Sequence, residues 1–72
     1  MTPQAEQLYD HLKTRGSLTQ IEAYEEYGCF RVASRIHEMR KAGIPVIKTM
    51  KKGKNRYGVE VHYAEYRLGE QA

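Results

Sequence analysis

A single cysteine, Cys29, excludes an internal disulfide, so nothing covalent staples this chain, and one thiol fits a reducing cytosol. No apolar run approaches the roughly 20 residues that a membrane span needs, and the N-terminus lacks a signal-peptide pattern, so a soluble cytoplasmic protein is expected. Proline and glycine are few, and there is no low-complexity tract, internal repeat or linker, which excludes fibrous and disordered classes. With 72 residues there is room for one domain, 1–72, close to the lower limit for a core without staples. Catalytic chemistry is also sparse. His11, His37 and His62 are scattered, with no cysteine or carboxylate at ligand spacing, so neither metal nor cofactor is expected. No nucleophile elbow, glycine-rich phosphate loop or carboxylate pair is present, and the reading is against an enzyme.

What the chain does have is segregated charge. The formal net charge is only +3, but residues 29–56 carry nine basic side chains against Glu38 alone, while both flanking segments are net acidic. A basic middle between acidic flanks is what one surface facing a polyanion would leave in a sequence.

The order of elements follows from local signals. Thr2-Pro3 offers a capping hydroxyl and then proline at the first helical position, and Ala5, Leu8, Tyr9 and Leu12 repeat at helical spacing. Helix 1 is expected over about 3–15, ending at Gly16. Ser17-Leu18 is too short to stand alone and suits a brief pairing with a later hairpin, Leu18 inward. Thr19-Gln20-Ile21-Glu22 reads as a capping box, opening helix 2 over about 20–27, with Ile21 and Tyr24 buried, Tyr27 a further candidate for that face, and Gly28 as its stop. Helix 3 follows at once, over about 30–42, with Val32, Ile36 and Met39 as its inner seam. Gly43 and Pro45 end it. Val46–Met50 and Val59–Leu68 read as strands around a basic loop, 51–58, giving a wing hairpin over about 46–68. The apolar parity of the second strand changes near Tyr63-Ala64, which suggests a bulge there. The tail from Gly69 is expected to fray. The whole is an α+β winged helix-turn-helix: three helices, then a β-hairpin wing.

The residues Gly28-Cys29-Phe30-Arg31, Ala33, Arg35-Ile36-His37, Arg40-Lys41 and Gly43, with Tyr66-Arg67-Leu68 closing the last strand, resemble a group of small helix-turn-helix proteins of phages and prophages. The resemblance is strongest from Leu18 to Gly43 and weaker in the wing. It implies a winged helix that binds DNA and names no operator, partner or pathway.

On that reading Arg31, Ser34 and Arg35, in the first turns of helix 3, are the candidates for base contact, since arginine pairs bidentately with guanine in the major groove. The alternative is phosphate contact or simple solvation. Glu38 could accept from a cytosine amino group, but an ion pair with Lys41 or Arg35 competes with that. Arg40 lies nearer the core and is expected to pack along its stem and pair with Glu25 or Glu26. Backbone contact is assigned to Phe30, Lys41, Lys51, Lys52, Lys54, Asn55 and Arg56. The wing cations lack acidic neighbours in sequence and repel one another until a phosphate chain relieves them. Gly53 and Asn55 shape the turn. Double-stranded DNA is the expected partner, bound as a homodimer or cooperative array because one copy covers a single half-site. The function expected is that of a phage or prophage transcriptional regulator or architectural factor. A module that binds a host protein is the other reading, with exposed Phe30 and the hairpin tyrosines as its contacts.

Overall fold

The computed structural model describes residues 1–69. Thr2 caps helix α1, Pro3–Arg15: its hydroxyl accepts from the Ala5 amide, and Gly16 closes the helix in the left-handed conformation. Leu8 and Leu12 are buried along its inner side, with His11 between them. Strand β1, Ser17–Thr19, is only three residues long, yet it buries Leu18 completely.

Helix α2, Gln20–Tyr27, begins on a complete capping box, the Thr19 hydroxyl accepting from the Glu22 amide while the Glu22 carboxylate accepts from Thr19 N–H. Its inner face differs from the one that residue size suggested. Ala23 is the side chain buried in the core, while Ile21 and Tyr24 are 57% and 53% exposed. A methyl group lets a short helix approach its neighbours closely, and Tyr27 and Gln20, three or four residues away, share that face. The Gln20 side-chain oxygen there accepts from the Ala64 amide of the sheet.

Gly28, at φ 63°, is a conformation that glycine adopts without strain, and it turns the chain from α2 towards α3. Helix α3 is Val32–Lys41, starting two residues later than the sequence suggested: Phe30 lies in the turn and Arg31 stands at the N-cap. The predicted seam of Val32, Ile36 and Met39 is buried.

Strands β2, Val46–Lys54, and β3, Glu60–Leu68, form the hairpin, and β1 pairs with the far edge of β3, giving the antiparallel order β1-β3-β2. Two sequence expectations fail here. The first strand does not end at Met50 but continues through Lys54, so Lys51, Lys52 and Lys54 stand on a strand, not in a loop. The bulge near Tyr63-Ala64 is absent, because register is unbroken from Val46 opposite Leu68 to Lys54 opposite Glu60. The parity change has another cause. Ala64, Tyr66 and Leu68 face the helices, whereas Val59 and Val61 belong to the part of the hairpin beyond the core, where both faces meet solvent.

The core joins Leu8, Leu12, Ala23, Val32, Ile36 and Met39 of the helices to Leu18, Val46, Ala64 and Tyr66 of the sheet. Burial of Tyr66 pushes its phenol pKa up, against the opposing pull of Arg40. Gly69 is held by an N–H to Pro45 carbonyl bond of 2.8 Å, and the rest of the tail expected to fray lies outside the described residues. No helix among the described residues is long and apolar enough to cross a membrane.

Candidate nucleic-acid interface

No side chain caps the start of α3, and no acidic residue occupies its first turn. A helix begun in this way leaves amide hydrogens and the positive end of its dipole open to anions. Arg31 is exposed at that end. Ser34 is exposed one turn in, and Lys41 extends the basic surface at the far end of the helix. Two residues that the sequence reading did not select, Ala33 and His37, complete the exposed arc. Helical periodicity could have found them: His37 is three residues from Ser34 and four from Lys41.

Arg35 is placed differently. Its Nη1 donates to the Thr2 hydroxyl at 3.0 Å and lies 2.7 Å from Glu38 Oε2. Glu38 in turn accepts from the Thr2 backbone N–H at 2.9 Å and from the Thr2 hydroxyl at 3.4 Å. Thr2 therefore caps α1 and ties α3 to it with the same hydroxyl. The Thr2 amide, followed by Arg35, holds the Glu38 carboxyl below its ordinary pKa against the opposing effect of partial burial. Of the two partners expected for Glu38, it takes Arg35. Arg40 does not pair with Glu25 or Glu26. Its guanidinium donates instead to the Val46 carbonyl at 3.0 Å, joining the end of α3 to the start of β2.

The hairpin sorts its cations by face, because side chains alternate along a strand. Lys48, Met50, Lys52 and Lys54 share parity with Val46 and stand opposite Tyr66, Ala64, His62 and Glu60, on the side of the sheet that packs against the helices. Lys51 points the other way, opposite Tyr63, and reaches Glu65 at 4.0 Å. The cations are thus not without acidic neighbours, although pairs this exposed hold little energy. Lys48, inside the strand expected over Val46–Met50, is not among the sequence candidates because the wing contacts are expected in the basic loop beyond it.

The tip is built by Asn55. Its side-chain oxygen accepts from the amides of Tyr57 and Val59 at 2.9 and 3.1 Å, and its backbone pairs with Val59 and Gly58. The turn glycine is Gly58, at φ 77°, whereas Gly53, expected in the turn, is a strand residue opposite Val61. Arg56 and Tyr57 project from this tip, the guanidinium 5.8 Å from the ring centre.

A second surface differs in character. Phe30, 81% exposed, leans on Tyr24 with ring centres 4.9 Å apart, and Ile21 is exposed one turn before Tyr24 on α2. Helix α2 carries Glu22, Glu25 and Glu26 and no basic residue. Its acidic surface repels phosphate, which leaves α3 and the hairpin as the candidate interface.

Residues 3–71 match the family model of a winged helix-turn-helix domain. No curated protein and no solved structure matches the chain.

Proposed function

The chain belongs to the winged helix-turn-helix domain family, which suggests DNA binding and is typically non-enzymatic, and we propose that it binds double-stranded DNA with a sequence preference. The observation that carries this reading is the open, uncapped start of α3 together with a hairpin on which Lys48, Lys52 and Lys54 line one face. In the proposed complex α3 enters the major groove. Arg31 and Ser34 read base edges, and Ala33 and His37 border them. Arg35 can join them only by leaving Thr2 and Glu38, so its first role is to set the angle of α3. Lys41, Lys52, Lys54 and Arg56 meet phosphates, with Lys48 at the base of the hairpin. Phe30, Lys51 and Asn55 border this contact rather than carry it. Since one copy covers a half-site, it acts as a homodimer or a cooperative array. Its role is that of a transcriptional regulator or architectural factor of phage or prophage origin, working in the host cytoplasm.

The test is a fluorescence-anisotropy titration against random duplex DNA from about 50 to 200 mM salt, where a roughly tenfold or larger loss of affinity means several neutralised phosphates. Absence of binding at the lowest salt sinks the reading. A second reading rests on the Ile21, Tyr24 and Phe30 surface, an exposed aromatic pair set among carboxylates. A protein partner docks there in that reading, and Tyr24→Ala and Phe30→Ala should then abolish partner capture without weakening DNA binding.

A further inference from the structure

Among the described residues His11 is the one buried polar or charged side chain, 3% exposed. Folding brings two carboxylates to it from α2, which spacing along the chain did not reveal. Its Nδ1 lies 2.8 Å from the Tyr27 hydroxyl and 3.2 Å from Glu26 Oε2. Its Nε2 is buried without a hydrogen-bond partner among the described residues and faces Glu22 Oε2 at 3.9 Å. A ring nitrogen beside a carboxylate oxygen at 3.2 Å is best occupied by N–H, so in the neutral ring Nδ1 is the donor and Nε2 carries the lone pair. Two acceptors then face each other across a gap too long for a hydrogen bond. Two bonds of about 2.1 Å span at most about 4.2 Å, so the gap has the size of one bound transition-metal ion.

We propose that His11 Nε2, Glu22 and Glu26 form a site for a divalent transition-metal ion of the zinc type, clipping α1 to α2. One atom from each residue lies within 4.8 Å of the others. The Tyr27 hydroxyl fixes the ring by accepting from Nδ1, which is how a metal-bound imidazole is ordinarily held. That leaves the Glu26 carboxylate free to turn towards the metal. Both carboxylates are about 40% exposed, so an ion can enter and water can complete its shell. Imidazole with carboxylates selects zinc-like ions over calcium or magnesium, which take oxygen ligands. The clip also meets a need of the fold: α2 is eight residues long and buries only Ala23.

The test uses the tag-free full chain and zinc chloride, with binding followed by calorimetry and by the NMR resonances of the three histidine rings. One zinc per chain should bind, shift the His11 ring signals and raise the unfolding temperature. Glu22→Gln keeps the amide oxygen that caps Thr19, so the double variant Glu22→Gln/Glu26→Gln should fold, as its circular dichroism would check, yet bind at least about tenfold more weakly. His62→Ala, which removes the exposed His62–Glu60 pair, should bind as the wild type does. The site is refuted if the wild type takes up no zinc, if the double variant binds equally, or if zinc moves the His62 or His37 signals and leaves His11 unchanged.

Discussion

The parity of the hairpin lysines makes the DNA reading quantitative. On B-DNA each neutralised phosphate adds about 0.9 to the slope of log affinity against log salt. Lys52 and Lys54 lie on the helix-side face of β2, while Lys51 lies on the opposite face near Glu65. The double variant Lys52→Ala/Lys54→Ala should therefore lose about 1.8 of slope, which over a fourfold rise in salt is a roughly twelvefold smaller loss of affinity. Lys51→Ala should lose well under half of what the double variant loses. Lys13→Ala, on α1 and paired with Asp10 at 3.5 Å, is the control matched in charge to Lys51→Ala and should leave the slope unchanged. Anisotropy titrations of the four proteins at several salt concentrations, on random-sequence duplexes, give the comparison directly. If Lys51→Ala flattens the slope by half of what the double variant does, as one charge against two, net charge rather than face governs binding. If the double variant keeps the full slope, the hairpin is not in the interface at all.

Arg31→Ala should narrow the affinity gap between selected and random DNA by about 1–3 kcal/mol while leaving the salt slope within about one phosphate of the wild type; unaltered selectivity would remove Arg31 from base readout. Ile36→Ala, in the sealed seam of α3, should cost about 2–5 kcal/mol by denaturant unfolding, a large share of the stability of so small a domain, and a cost under about 1 kcal/mol would contradict the packing described. Thr19→Ala should cost about 1 kcal/mol through its half of the capping box, read from the same unfolding curves. The folded-state pKa of Glu38 is lowered, so its contacts stabilise the fold above the ordinary glutamate range, and that contribution is lost as pH falls through the lowered value. Glu38→Gln should accordingly shrink the stability difference between neutral and acidic pH, and an unchanged pH profile would show that the Thr2–Glu38 contact contributes nothing.

The features legible in the sequence are those set by neighbours a few residues apart. Thr2-Pro3, the capping box at Thr19 and Glu22, and the glycine at 28 each specify a helix end through local hydrogen bonds, and the spacing of Val32, Ile36 and Met39 specifies one buried face. Size misled at α2, because depth of burial depends on how near the helix sits, and Ala23 permits a nearness that Ile21 or Tyr24 would prevent. In the hairpin, the lysine-rich segment carries no core signal, yet its backbone pairs as regularly as the rest, since ladder bonds between strands do not require a buried face.

The candidate site divides along the same line. Exposure of Arg31, Ser34 and Lys41 follows from helical periodicity, and so could that of His37. The engagement of Arg35 with Thr2 cannot be read that way, because 33 residues separate them and only the packing of α1 on α3 closes the distance. The cluster of His11, Glu22 and Glu26 arises in the same manner, from α1 lying beside α2. The first bears on the proposed function. The arginine that periodicity offers to DNA is held by the scaffold, and in the proposed complex the surface for reading bases narrows to Arg31, Ser34 and their exposed neighbours. Thr2→Val is the sharp test of that division. It removes the hydroxyl that accepts from Arg35 while leaving the backbone N–H that Glu38 accepts from. If Arg35 only positions the helix, the guanidinium, loosed from Thr2 but still paired with Glu38, should leave base preference unaltered while stability falls by about 1 kcal/mol with the lost cap. A changed base preference would instead mean that Arg35 reads DNA once released from Thr2.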